Sequence, residues 1–252
     1  MSTAAPFRAT CPACRRPFDT EVWRSLHVRR MPGAREELLA RRFCVHACPH
    51  CGATCRLEPV VLYTDFDRFE WYALYPSWAL DRYAGLAAQV EAGFRLNTLE
   101  LAPPMVQAWS PSFQVRTCFG ISSLREKVLA HELGLDDRAL ELWKVRILRA
   151  LGRTLDPGIE MWLDHAEGDR ILFEVADLPG PDDTVVVKIL SAPRAGYDAL
   201  VAESGASLAE WFPTSVVDWR SLLLPPGAPS PAPMEPSPSE PSLPEPGRPE
   251  PA

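Results

Sequence analysis

Cys11-Pro12-Ala13-Cys14 and Cys48-Pro49-His50-Cys51-Gly52 place two cysteine pairs of the form C-P-x-C in the first quarter of this chain. Two residues between cysteines let a tight turn aim both sulfurs at one point. Each turn therefore supplies half of a four-cysteine set suited to tetrahedral zinc, with Zn–S bonds of about 2.3 Å. Proline presets φ inside the turn, and Gly52 supplies the conformation needed to leave it. A lone C-x-x-C also suits thioredoxin-like redox chemistry. Two of them, each with Pro after the first Cys, point to Cys11, Cys14, Cys48 and Cys51 as the ligands of one structural zinc ion. Four thiolates leave no open position for a substrate, so the site is expected to stabilise the fold rather than catalyse. The 33 residues between the turns exceed the roughly 15–20 of the commonest spacing, so folded structure is expected inside the ribbon.

Other reactive residues carry weaker patterns. Cys44 lies four residues before Cys48, and Cys55 four after Cys51. In a symmetric hairpin the two would face each other across the strands, within disulfide range, as an oxidisable pair or as two small buried thiols. His46 and His50 accompany a set of four thiolates that is already complete and read as exposed strand and turn residues. His131-Glu132 resembles the start of H-E-x-x-H, but the position that needs the second histidine is Leu135, so the zincin motif is absent. Glu160 and Asp164-His165 have acid–base side chains without a nucleophile at a recognisable elbow. Cys118, in a strand between Arg116 and Phe119, is a candidate nucleophile, although a lone buried cysteine reads more plainly as inert packing. The chain contains no G-x-G-x-x-G, no G-x-x-x-x-G-K-[ST] and no G-x-S-x-G, which removes the usual signatures of nucleotide cofactors and of the commonest hydrolase scheme.

A chain of 252 residues with 46% hydrophobic content can bury a sizeable core. Its longest apolar runs fall far short of the roughly 20 residues that span a bilayer, and the N-terminus lacks a secretory apolar region. A cytoplasmic protein without membrane contact is expected. Seven cysteines, an odd number gathered mainly in the two turns, agree with a reducing compartment and metal binding. Lys127, Lys144 and Lys188 are the only lysines; the remaining basic residues are arginines.

The net charge of −7 is unevenly spread. Residues 1–56 hold ten Arg against Asp19, Glu21, Glu36 and Glu37, a balance of +6, which leaves −13 for residues 57–252. Zinc with four thiolates lowers the first figure to about +4. Arg29, Arg30, Arg41 and Arg42 are the candidate nucleic-acid contacts on this face; compensation of the anionic centre is the plainer reading.

The elements that must position these residues follow from the pattern of apolar side chains. Residues 18–28 read as a strand, 32–42 as a short helix with Pro at its start, and 43–47 as a strand returning to the second cysteine turn. Residues 55–63 read as a further strand. Trp71, Tyr72, Tyr75 and Trp78 form an aromatic stretch that closes a small core or offers a ligand surface. A helix is expected over 81–94 with Asp81 as its cap, and a strand over 113–119. Ser123-x-x-Glu126 reads as a capping box for a helix stopped by Gly134, and Asp136 or Asp137 caps a second helix with apolar side chains at Leu140, Trp143, Ile147, Leu148 and Leu151. These two make a helical hairpin over 123–151. Residues 160–175 read as a β-hairpin turning at Glu167-Gly168-Asp169, 184–190 as a strand and 195–203 as a short helix. From Pro225 a Glu-Pro step recurs every five residues at Glu235, Glu240, Glu245 and Glu250, which predicts a disordered tail with polyproline bias.

Together these residues resemble the CpXC domain family of bacterial proteins. The resemblance rests on both cysteine turns, on Leu38-Leu39 and Arg42-Phe43, on Leu62-Tyr63-Thr64-Asp65 and on Pro76. It continues through Leu124-Arg125-Glu126-Lys127 and Leu135-Asp136-Asp137-Arg138, so it covers residues 8–152, and more weakly to 224. Cys44 departs from it, standing where a polar residue such as Asn is expected. The resemblance implies the same four cysteine ligands and adds no mechanism.

The resulting expectation is an α+β protein in three parts: a zinc-ribbon module with an inserted helix over 8–80, an α+β remainder with the helical hairpin over 81–224, and a disordered Pro/Glu-rich tail over 225–252. The leading function is that of a structural-zinc-containing, non-enzymatic binding or adaptor protein with a protein partner. The alternatives are a nucleic-acid-binding zinc ribbon and a thiol redox enzyme or sensor that uses the cysteine cluster.

Overall fold

Residues 2–177 and 187–225 are described by a computed structural model of the chain. The expected tail beyond residue 225 and the start of the expected strand at 184–186 lie outside the described residues. Among the described residues the fold is a mixed α+β arrangement of seven α-helices and three sheets. No helix there is long and apolar enough to cross a membrane.

The largest sheet has five strands in the order β1-β2-β5-β6-β7. β1 (Thr3–Thr10) and β2 (Pro17–His27) form an antiparallel hairpin around the first cysteine turn, closing at Thr10 opposite Pro17. Pro6 lies in β1, an edge strand, where a missing amide donor is tolerated. The far end of β2 pairs on its other side, in parallel, with β5 (Val61–Asp65) through Ser25–Leu62, Leu26–Tyr63 and His27–Thr64, so Ser25 lies between Thr3 and Leu62. The crossover between them holds α1 (Gly33–Leu39) and a two-stranded hairpin of β3 (Val45–Ala47) and β4 (Thr54–Arg56) around the second cysteine turn. β6 (Glu70–Tyr75) runs antiparallel to β5, and β7 (Gln114–Phe119) runs parallel to β6 after a crossover through α2 (Tyr83–Arg95) and α3 (Pro104–Trp109). The sheet thus draws strands from both sides of residue 80.

α4 (Ile121–Glu132) and α5 (Asp137–Ala150) follow. β8 (Ile159–Glu167), β9 (Arg170–Asp177) and β10 (Val187–Pro193) then form a three-stranded antiparallel sheet in the order β10-β9-β8. α6 (Arg194–Ser204), α7 (Leu208–Trp211) and a 3-10 turn over Trp219–Leu223 complete the described chain. The hairpin of β8 and β9 closes with Glu167 opposite Arg170 and Gly168 at φ +58°, as the Glu-Gly-Asp turn predicts.

Several boundaries differ from expectation for identifiable reasons. The apolar run at 55–63 is two strands: the β3–β4 ladder has its last bond from the Leu57 N–H to the carbonyl of Cys44, which is left-handed (φ +55°), and Pro59 has no N–H to give to a ladder. The helix expected over 32–42 ends at Leu39: Arg41 is left-handed (φ +62°) and the Arg42 N–H closes onto the Glu37 carbonyl. Asp81 does not cap a helix. It lies in a 3-10 turn, and α2 begins at Tyr83 with no side-chain cap. Asp136 does cap α5, accepting from the N–H groups of Arg138 and Ala139. Trp71, Tyr72 and Tyr75 are buried because all of β6 is buried on both faces; Trp78 alone of the four is exposed, with Arg82 stacked 5.1 Å from its ring centre.

The capping box at Ser123 is replaced by a more consequential arrangement. α4 starts at Ile121 behind Gly120 (φ +85°), so Glu126 faces inward. Glu126 Oε1 lies 2.6 Å from Lys144 Nζ, while its Oε2 accepts the Leu163 N–H of β8 at 2.5 Å. Lys144 and Lys127 both reach Glu141 Oε1, at 2.9 and 2.8 Å, and Glu141 Oε2 accepts the Trp219 N–H. Arg116 of β7 grips Asp137 through two bonds of 2.7 and 2.8 Å. Two of the chain's three lysines are therefore buried completely, and the cluster balances three cations, Arg116, Lys127 and Lys144, against Glu126, Asp137 and Glu141.

Burial pushes Glu126 up to about 7 against the pull of Lys144. Burial alone would also raise Asp137, but the Arg116 guanidinium, with Lys127, holds it below the usual carboxylate range. A depressed folded-state pKa contributes stability that is complete above the unfolded value of about 3.9 and is lost as pH falls toward the folded value. Asp137→Asn, which leaves Arg116 without its counter-ion, is expected to cost about 3–5 kcal/mol near neutral pH. In urea unfolding series from neutral to strongly acidic pH, the gap between wild type and variant should narrow as the wild-type carboxylate becomes protonated; a constant gap would refute this assignment.

Candidate metal centre

The two cysteine turns share one hydrogen-bond pattern. In the first, the Cys11 N–H donates to the Arg16 carbonyl (3.0 Å) and the Arg15 N–H to the Cys11 carbonyl (2.8 Å). In the second, the Cys48 N–H donates to the Ala53 carbonyl (2.8 Å) and the Gly52 N–H to the Cys48 carbonyl (2.9 Å). Each turn leaves through a left-handed residue at the same position, Gly52 at φ +72° and Arg15 at φ +58°. Glycine adopts that conformation freely; Arg15 adopts it with a side chain attached. A strand ladder continues from each turn, β1–β2 from one and β3–β4 from the other.

These turns bring the sulfurs of Cys11, Cys14, Cys48 and Cys51 within 4.8 Å of one another. Cys11 Sγ lies 3.7 Å from Cys51 Sγ, and Cys14 Sγ lies 3.7 Å from Cys48 Sγ. Both separations far exceed the S–S bond of about 2.0 Å, and all seven cysteines are free thiols. They approach the edge, about 3.8 Å, of a tetrahedron whose centre is about 2.3 Å from each sulfur. The donor set is thus soft, closed and of the right size for a tetrahedral ion. Among the described residues it is the group of metal-binding side chains that converge in this way.

Ala9, Phe18, Val22, Cys55 and Leu57 pack around the buried Cys11 and Cys48, while Cys51 is exposed. Backbone N–H groups at Cys14 and Ala13 point toward the Cys11 sulfur and lower its pKa to about 6 against burial. Against a backbone N–H at Ala53, burial and the three neighbouring sulfurs push Cys51 up to about 12. Such donors favour the thiolate, the form that binds metal.

Most of the other candidate residues have structural partners. His46 Nδ1 lies 3.0 Å from Thr20 Oγ1, and His50 Nε2 3.0 Å from the Pro17 carbonyl, so His50 braces one turn against the other strand. Cys118 is fully buried, and burial pushes its thiol up to about 12. His131 Nδ1 lies 2.8 Å from Glu70 Oε1, Glu132 pairs with Arg35, and Arg35 also bonds Glu70 and Tyr63. Asp164 accepts from Arg41 and stands 2.9 Å from His165 Nδ1, while Glu160 lies 3.6 Å from Arg220. Arg41, one of the four candidate nucleic-acid contacts, is held by Asp164 and Glu174. Sequence reasoning did not find the buried charges at Arg116, Asp137, Glu141 and Lys144; the available signal was two of only three lysines lying among helical apolar residues.

The sequence profile of the CpXC protein family matches residues 9–144. The chain belongs to the CpXC family. The match spans both cysteine turns and ends on Lys144, so it takes in the buried ion cluster of α4 and α5 as well. No curated protein and no solved structure matches the chain. Within this CpXC protein, Arg125-Glu126-Lys127 and Asp137 all take part in buried or partly buried links: Arg125 donates to the carbonyls of Leu39, Leu163 and Asp164, fastening the inserted α1 and β8 to α4.

Cys44 and Cys55 do not face each other. The loop of the second turn holds four residues, so His46 stands opposite Cys55 and Val45 opposite Arg56. Cys44 precedes the strand in a left-handed conformation and packs with Leu38, Phe43 and Tyr63, whereas Cys55 packs beside Cys11 and Cys48. Mild oxidation of the folded protein is therefore expected to give no Cys44–Cys55 cross-link in a peptide map; its appearance would require a two-residue slip of β3 against β4.

Proposed function

We propose that Cys11, Cys14, Cys48 and Cys51 hold one zinc ion in a closed zinc ribbon, and that this CpXC protein acts as a non-enzymatic binding or adaptor protein. The observation that supports this reading is the convergence of four sulfurs, with no histidine or carboxylate among them, at tetrahedral spacing. A four-thiolate set favours zinc over oxygen-preferring cations and gives it no open position for substrate. When bound, the ion supplies a cross-link between the β1–β2 and β3–β4 turns and neutralises part of the thiolate charge.

The protein's own residues supply the rest of the site. Backbone N–H groups around Cys11 favour its thiolate, and Phe18, Val22 and Leu57 exclude water from the inner side. Seven free thiols agree with a reducing compartment such as the cytoplasm. The partner is a protein surface: Arg41 is already paired with two carboxylates, which weakens the basic face that nucleic acid would need.

The test is metal and thiol stoichiometry on anaerobically purified protein. About one zinc per chain is expected, with the thiols of the four cysteines becoming reactive and folded signal falling on chelation. Cys48→Ser should lose the ion and Cys55→Ser should retain it. Absence of zinc from the wild type, together with ready disulfide formation within the cluster, would overturn the structural reading in favour of redox chemistry.

A further inference from the structure

An open groove with a volume of about 310 Å³ lies between α2, β7, the start of α5, α7 and the segment after it, away from the cysteine centre and lined by different elements. Its volume stands at the lower end of the roughly 300–1,000 Å³ typical of ligand pockets, which suits a molecule of amino-acid size. Phe113, Val115 and Phe212 supply apolar wall.

Two charged groups on the lining are not used up by the fold. The Arg138 side chain is partly exposed and makes no hydrogen bond or close ion pair among the described residues; its charge acts on Asp137 only at longer range, and its Nε is buried without a partner. Its neighbour Arg116, by contrast, is fully committed to Asp137 and the Val115 carbonyl. Glu91 uses Oε1 to accept the Ser215 N–H at 2.6 Å, and Oε2 has no partner. No ion pair joins Glu91 to Arg138, although both line the groove. Thr214 adds a hydroxyl whose oxygen accepts the Val216 N–H and whose proton remains free to donate.

The Arg138 Nε is shielded from water without a partner, which leaves its desolvation uncompensated, while the rest of this partly exposed guanidinium stays open to solvent and to a ligand. A planar guanidinium matches a carboxylate with two parallel bonds, and a free carboxylate oxygen accepts from an ammonium. A simple anion would meet Arg138 but be repelled by Glu91; a simple amine would meet the reverse. We infer that the groove between Glu91 and Arg138 binds a small zwitterion, an α-amino acid with an apolar side chain, its carboxylate on Arg138, its ammonium on Glu91 and its side chain against Phe113, Val115 and Phe212.

This site is independent of the cysteine centre, so it can hold or fail whether or not the zinc reading does. The test titrates the full-length, metal-replete protein with L-leucine and L-phenylalanine, and in parallel with 4-methylpentanoate and 3-methylbutylamine, each of which carries only one of the two charges. Binding is followed by calorimetry and by amide chemical shifts. The expected result is binding of the amino acids, with shifts confined to residues around Arg138 and Thr214, and at least tenfold weaker binding of either singly charged analogue. Arg138→Met and Glu91→Gln should each weaken leucine binding at least tenfold while thermal unfolding stays close to wild type; Gln keeps an acceptor for the Ser215 N–H. Phe212→Trp, which fills the groove without touching either charge, should also abolish binding. No binding of either amino acid up to its solubility limit would overturn the proposal. Equal binding of 4-methylpentanoate would show a carboxylate site and overturn the zwitterion assignment. Shifts scattered over the surface would show nonspecific association and overturn the site.

Discussion

Lys144 carries its charge into the interior with no solvent exposure, between Glu126 Oε1 at 2.6 Å and Glu141 Oε1 at 2.9 Å. Each ion taken out of water costs several kcal/mol even after relaxation, so such a group is tolerated only where its partners are close and themselves satisfied. The second oxygens of the two glutamates meet that condition by accepting the N–H groups of Leu163 and Trp219. The consequence reaches across the molecule. α4 and α5 must hold one register, the three-stranded sheet must present Leu163 to Glu126, and the chain after α7 must bring Trp219 to Glu141. An apolar core of similar volume would match these requirements with less desolvation, but it would not specify them so narrowly.

The cysteine centre is joined to this interior by β2, which is one continuous strand of 11 residues. It pairs with β1 from Pro17, beside the first cysteine turn, as far as Ser25, and its last residues, Ser25 to His27, pair with β5 in the middle of the large sheet. At the strand rise of about 3.3 Å per residue, it carries a fixed geometry from the thiol cluster toward the core. β2 itself joins the small core around Cys11 and Cys48 to the larger one around Tyr63, Tyr72 and Leu124, since it gives Phe18 and Val22 to the first and Leu26 and Trp23 to the second.

The four cysteines were legible because spacing in a tight turn is a local property, and two such turns restrict each other. The register of the second hairpin was not, because symmetry about Cys48 and Cys51 assumes a two-residue loop, whereas the Cys48 N–H closes on the Ala53 carbonyl around four. That difference alone separates Cys44 from Cys55. The Ser123-x-x-Glu126 pattern misled for a related reason. Whether a glutamate folds back on its own helix or reaches another element depends on what lies opposite, and Lys144 is 18 residues away. The edge strand β1 was missed because Pro6 and the alanines around it give weak alternation, and its pairing with β2 is what makes it a strand. The groove at Arg138 had no sequence signal, since its walls come from α2, β7, α5, α7 and the segment after it.

The long interval between the cysteine turns acquires a physical explanation from these contacts. A ribbon needs only a short link between its two halves, but here the link supplies the inner half of β2, α1 and the residues Leu26, Ala34, Leu38 and Phe43 that pack against Tyr63, Tyr72 and Leu124. Arg41, left-handed at the end of α1, then clamps the link to the second sheet through Asp164 and Glu174. Arg125 draws in the same region by bonding the Leu39 carbonyl on one side and the Leu163 and Asp164 carbonyls on the other. The inserted segment is therefore shared between the ribbon and the main core rather than hung from either. β2 is held by β1 along most of its length and by β5 at its inner end, whereas the buried charges lie on β7, α4 and α5 and make their own contacts. A centre placed in this way can hold the N-terminal hairpin in position without being required for the packing of α4 and α5, which their own ion pairs secure.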